Sequence, residues 1–298
     1  MRKWWLLLAS LALWNILGYC LARPPGTARV DAPPAASTPT RIVSLAPNLT
    51  EILYALGLEE AIVGVTLDSD YPAAAADRPK VGTFWQPNVE AVVALKPDLV
   101  VALDFQQQKS VVHRLERLGC RCLMTDIWTV DDFFRAVGTM GQVTGREQQA
   151  EALVADIQED IQRLHDAIAG QTRPRALWVV QREPLRVAGR DTFINELIEL
   201  AGGENAIGPT LHKYPPIGAE QVIACDAEVI IEPAMVKGDF EHQRKTALEY
   251  WSRWPHVPAV QAGRIHVIDG DIVSRLGPRL YQGIETIAHC LRAEAPGE

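Results

Sequence analysis

Residues 88–101 read NVEAVVALKPDLVV, and residues 218–231 read GAEQVIACDAEVII. Each stretch has a glutamate at its third position, a short apolar helix face and then an unbroken apolar run, as buried parallel strands have. In the first copy Asn88 is a favoured N-cap type and Pro97 a stop, which predicts a helix over 89–96 and a strand over 99–103. A second pair repeats in the same order: EILYALGLEEAIVG over 51–64 is mirrored by ELIELAGGENAIG over 196–208. Working outward, strands are expected at 41–45 (RIVSL), 61–66 (AIVGVT), 120–125, 176–180 (ALWVV) and 264–268. Helices are expected from Pro47 to just before Gly57 and over 110–118. Strand and helix alternate, so the fold class is α/β, with parallel sheets flanked by helices. The repeat makes it a duplicated, two-lobed protein with Rossmann-like lobes.

Between the halves, Leu153, Ile157, Ile161, Leu164 and Ile168 recur at helical spacing. They predict a single amphipathic helix, about 33 Å long at 1.5 Å per residue. The expected organisation is a first lobe over 41–145, a connecting helix over 146–170 and a second lobe over 171–298. A single packed helix allows only small relative motion of the lobes. The cleft between them, faced by strand ends and helix N-termini, is the expected ligand site.

The lobes are preceded by an address. Arg2 and Lys3 lead into an almost wholly apolar stretch from Trp4 to Tyr19, and Cys20-Leu21-Ala22 closes it. Residues 1–22 read as a secretory signal peptide cut after Ala22. An uncut anchor and lipidation at Cys20 stay open, although Tyr19 is not the small residue that lipoprotein signals place there. Residues 23–40 are rich in Pro, Ala and Thr, with no hydrophobic period, and read as a flexible linker. The expected location is periplasmic or otherwise extracytoplasmic.

Of 298 residues 48% are hydrophobic and 22% charged, with net charge −8. Residues 1–22 carry Arg2 and Lys3 and no acid, so their removal takes the charge from −8 to −10. That balance disfavours nucleic acid or anionic lipid as a partner. The chain has no G-x-S-x-G elbow, P-loop or G-x-G-x-x-G after a strand, and His212, His242, His256, His266 and His289 form no H-x-H or H-E-x-x-H pattern. No catalytic residue, resident cofactor or metal site is expected. An enzyme and an adhesion module are the competing classes. Cys120 and Cys122 form a lone C-x-C and are expected to be buried free thiols.

With these motifs in place, the chain resembles the helical-backbone (class III) substrate-binding proteins of ABC importers, which carry cobalamin, ferric siderophores or haem. The resemblance runs from Arg41 to about Leu291. It rests on RIVSLAPNLTE (41–51), VGVTLDSDYP (63–72), the 88–102 block, GGENAIG (202–208) and SRLGPRLYQGIETIA (274–288). It implies two lobes on a helical backbone, an extracytoplasmic receptor and an inner-membrane permease dimer as partner. The similarity is strongest to the corrinoid-binding branch. There it implies Phe84, with Trp85 beside it, and Tyr214 as pocket walls, and Asp271 and Arg275 as rim partners of the ligand. Asp68, Leu103 and Val180 stand where that branch has aromatics; Phe105 and Trp128 are candidates to fill the space. A corrin is a flat, mostly apolar face with amides on its rim, and wants aromatic walls plus a few polar groups. A ferric siderophore wants several cations, for which Arg182, Lys213, Arg275 and Arg279 are candidates, so that ligand and haem stay open.

The resemblance also implies one docking glutamate per lobe, Glu90 and Glu220, facing arginines of the permease. Each is expected in the first turn of a helix, where helix-dipole stabilisation of the carboxylate is the plainer reading. A monomer is expected. The branch's disulfide pairs a cysteine matching Cys290 with one at the position of Ala201. That partner is missing, leaving Cys290 free or joined to Cys225.

Overall fold

A computed structural model describes residues 38–234 and 239–293. The signal peptide expected over 1–22 and nearly all of the linker expected over 23–40 lie outside them. Two sheets carry the fold. The first has strands β1 (Ile42–Ser44), β2 (Ile62–Val65), β3 (Leu99–Leu103) and β4 (Cys122–Thr125), in spatial order β2-β1-β3-β4, all parallel. The second has β5 (Arg175–Arg182), β6 (Leu185–Val187), β7 (Glu204–Asn205), β8 (Val229–Ala234) and β9 (Ile265–Asp269). There β8 lies between β5 and β9, and β7 runs parallel to the start of β5, which repeats the first sheet's order. The departure is β6, which folds back antiparallel onto the end of β5.

The internal copy is visible residue by residue. Helices Val89–Ala94 and Ala219–Ala224 have the same length, and each is followed by a non-glycine residue in the left-handed region. These are Lys96 at φ 48° and Asp226 at φ 49°, at matching places in the two quoted stretches. The first helix is capped as its sequence requires, the Asn88 side chain accepting the Ala91 amide at 2.9 Å. The second begins at Gly218, without a side-chain cap.

The helix Glu147–Ile168 joins the halves. Its buried Ile157, with Leu153, Ile161 and Leu164 alongside, belongs to a core that includes Ile42 and Leu49 from one half and Trp178 and Ile284 from the other. Two further cores, around Val43 and Val100 and around Leu177 and Ile230, fill the other faces of the sheets. Continuous packing through one shared core resists large hinge motion.

Two sequence expectations need correction. The helix expected at 110–118 spans Gln106–Arg117, because its first turn is polar and Gln108 is buried. Cys120 and Cys122 are half-buried rather than buried; strand β4 starts only at Cys122. Burial nonetheless pushes the Cys122 thiol up to about 12, with Glu116 and Cys120 adding to it. Cys225 and Cys290 are both free and buried, and burial pushes Cys290 up to about 11.

Candidate functional site

The first wall of the site is a turn. After β2, the Val65 amide donates to Pro79 O and the Val81 amide to Val65 O, both at 2.9 Å, so 79–82 runs beside the strand. Thr83 and Gln86 then exchange backbone hydrogen bonds at 3.2 Å, leaving Phe84 and Trp85 at the tip. Gly82 makes this possible. Its φ is +99°, and a Cβ there would stand 2.5 Å from Gln86 O. The Asp68 carboxylate accepts the Phe84 amide at 2.6 Å.

Beneath the turn, fully buried Gln108 holds three backbones at once. Its Nε2 donates to Leu45 O at 2.7 Å and to Phe84 O at 3.2 Å, and its Oε1 accepts the Leu103 amide at 2.9 Å. Sequence reading missed this residue. The signal was present, since Gln108 lies in helical phase with the buried Val112 and Leu115.

The rings form one cluster. Phe84 stacks on Phe105 with centroids 5.1 Å apart, and Trp85 meets Phe84 and Phe105 edge-on at 4.9 and 5.8 Å. With Leu103, Ile127 and Trp128 they line a cavity of about 360 Å³. Trp85 and Trp128 are 61% and 55% exposed, so the aromatic face is open to an incoming partner. Trp128 is held at its backbone, where its amide donates to Asp132 at 3.0 Å. Larger hollows include two of about 660 and 640 Å³, at the C-terminal end of the connecting helix and beside β9. Charged side chains such as Asp131, Glu199 and Arg292, or Arg244 and Glu285, line them, and neither offers an aromatic wall.

The second lobe contributes the segment that β6 holds. The Val187 amide donates to Pro215 O at 3.2 Å, the Ile217 amide to Leu185 O at 3.0 Å, and Arg186 to Tyr214 O at 3.1 Å. Tyr214 is 36% exposed, and burial of the rest pushes its phenol up. Its neighbour Lys213 reaches the first lobe, with Nζ 5.2 Å from the Trp128 ring centroid. Tyr214 itself does not line the aromatic cavity.

Asp271 and Arg275 form a separate group. They pair at 3.1 Å, and Arg275 also meets Asp70 of the first lobe at 3.4 Å. One turn on, Arg279 grips Glu51 with two hydrogen bonds, at 2.9 and 2.6 Å, and lies 4.0 Å over the Tyr71 ring. Arg182 likewise binds Glu232 at 2.9 and 2.6 Å, and Glu232 also accepts the Trp251 indole N–H at 2.5 Å. Three of the four cations considered for an anionic chelate therefore already hold carboxylates. Glu90 and Glu220 are exposed in the first turns of the paired helices, and Glu90 meets Arg114 at 3.3 Å. Among the described residues no group of three or more His, Cys, Asp or Glu is placed to hold a metal ion.

Two parallel-stranded lobes on a helical backbone, with an aromatic face open where the halves meet, define a two-lobed solute receptor. The chain belongs to the periplasmic binding protein family, which matches residues 42–272. It is 30% identical over 260 residues, 85% of this chain and 80% of the relative, to an uncharacterized ABC transporter substrate-binding lipoprotein, YvrC, of Bacillus subtilis (strain 168). It is 28% identical over 265 residues, 88% of this chain and 92% of the relative, to the vitamin B12-binding protein of Pectobacterium carotovorum. Among solved structures, a periplasmic heme binding protein from Pseudomonas aeruginosa superposes with a TM-score of 0.74 at 29% identity, covering 85% of this chain and 92% of that one.

Proposed function

We propose that this chain is the substrate-binding component of an ABC importer, that it captures cobalamin or a related corrinoid in the cleft, and that it delivers the ligand unaltered to a permease. The observation that carries the reading is the open ring cluster of Phe84, Trp85, Phe105 and Trp128. Such a face suits one side of a large, flat, mostly apolar macrocycle. Phe84 and Trp85 are the first wall and Tyr214 the second. Asp271 and Arg275 meet polar groups on the rim. Among the described residues, the pairing of Arg182, Arg275 and Arg279 with carboxylates leaves little free positive charge for a multiply anionic siderophore, which favours the corrinoid.

Glu90 and Glu220 dock the two lobes onto the two halves of a permease dimer, since matched acids on matched helices suit a twofold partner. The receptor works as a monomer, outside the cytoplasm, after export by residues 1–22. The test is titration of the purified protein with cyanocobalamin, cobinamide, haemin and a panel of ferric siderophores, followed by tryptophan quenching. Tightest binding to the corrinoids is the expected result. Binding of haemin or a siderophore alone would replace the corrinoid by the alternative cargo, and binding of none would remove the reading.

A further inference from the structure

Among the described cations considered for the ligand, Lys213 is the one without a carboxylate partner. Among the described residues its contact is with the Trp128 ring face, 5.2 Å from Nζ to the centroid, and no carboxylate is recorded beside it. Arg182, Arg275 and Arg279 hold Glu232, Asp70 with Asp271, and Glu51. Lys109, nearest the first wall, holds Asp104 at 2.7 Å. A ring face attracts an exposed ammonium only weakly and leaves its N–H donors available for an anionic oxygen.

The position is nonetheless built. The Gly189 amide donates to Lys213 O at 2.8 Å, and Gly189 packs so closely that a Cβ there would stand 2.7 Å from Thr210 Oγ1 and 3.1 Å from Lys213 O. The next residue is tied by Arg186. The Lys213 backbone is thus fixed at the lip of the second lobe, and its exposed side chain leans on a ring that lines the aromatic cavity of the first.

We propose that Lys213 is a specificity-determining residue, which leaves Trp128 to pair with a single acidic arm of a ligand whose flat face lies on the aromatic wall. The inference rests on the macrocycle reading of the site. A charge-assisted hydrogen bond of this kind selects the ligand form that carries the anion. Two sources share the chemistry: the phosphodiester of a corrinoid's nucleotide arm and the propionate of a haem.

The experiment measures dissociation constants by equilibrium dialysis with the full chain. Its two ligand pairs are cyanocobalamin against cobinamide, which lacks the phosphodiester, and haemin against its dimethyl ester. Lys213→Met is expected to weaken the acidic member of the bound pair about tenfold and to leave the other within about twofold, while Lys213→Arg restores the preference. Which pair responds identifies the source of the anion. Equal weakening of both members, or of neither, overturns the role of Lys213 while the macrocycle reading stands. Failure of the unaltered protein to bind any of the four overturns both.

Discussion

Buried Gln108 and half-buried Asp132 show how single polar side chains set the site. Replacing Gln108 by leucine keeps the volume roughly but strands Leu45 O, Phe84 O and the Leu103 amide without their partner. Each unsatisfied buried group costs about 1–3 kcal/mol, so Gln108→Leu is expected to lower stability by about 3 kcal/mol or more and to weaken ligand binding. Urea unfolding and a binding titration check this; unchanged affinity would show that the turn does not depend on its support. Asp132 closes a capping box at the start of the helix Val130–Thr144. Burial alone would push its carboxyl up. The Thr129 hydroxyl, the Trp128 and Thr129 amides and Arg135 outweigh that and hold it below the ordinary range. A lowered folded value means that its stabilisation is present above the ordinary carboxylate value of about 4 and is lost as pH falls through the folded one. Asp132→Asn is therefore expected to cost about 1 kcal/mol at pH 7, with the penalty fading below about pH 4. Stability measured against pH tests the sign: a penalty that persists in acid contradicts it.

At the scale of elements, the turn at 83–86 has little freedom. Gly82 combines a positive φ with a Cβ position 2.5 Å from Gln86 O and 2.8 Å from the Asn88 amide. Gly82→Ala is expected to cost about 1–3 kcal/mol through backbone strain and to blunt ligand-induced quenching, because Phe84 and Trp85 no longer sit at the tip. Gly57→Ala is the control, with φ +69° but no atom within 4 Å of the added carbon. It should cost stability without touching the site. The same elements show what sequence can carry. The alternation of strands and helices was legible because buried parallel strands are apolar throughout, and 88–101 against 218–231 gave the duplication. Phe84 and Trp85 were legible as a pair, and Phe105 and Trp128 as candidates to fill the space beside them. Their meeting in one cluster was not, because Phe105 and Trp128 come from two other loops. Strand β6 escaped because three residues beside Pro184 carry no period. The partners of Arg275 and Arg279 escaped because Asp70 and Glu51 lie more than 200 residues away in sequence.

Across the whole molecule, those distant pairs join the halves. Glu51 and Arg279 are 3% and 12% exposed at their side chains, and their contact spans the two lobes, next to the bond from the Asn48 amide group to Leu276 O at 3.2 Å. Burial opposes the charge on Arg279, but Glu51 more than offsets it and holds the guanidinium above its ordinary value. A buried pair of this kind is costly to break from one side and much less costly to replace as a whole. Arg279→Met leaves Glu51 charged, buried and unpartnered, and is expected to lower stability by about 3–5 kcal/mol. Glu51→Leu combined with Arg279→Met should recover most of that loss, because the surrounding core that runs through both lobes is already apolar. The two lobes share this core with the helix Glu147–Ile168, so unfolding should remain one cooperative transition in every variant. Denaturation of both single variants and the double variant forms a mutant cycle that isolates the coupling. A coupling near zero would mean that the shared core alone holds the lobes. A large one makes the pair a clamp between the lobes, acting beside the shared core.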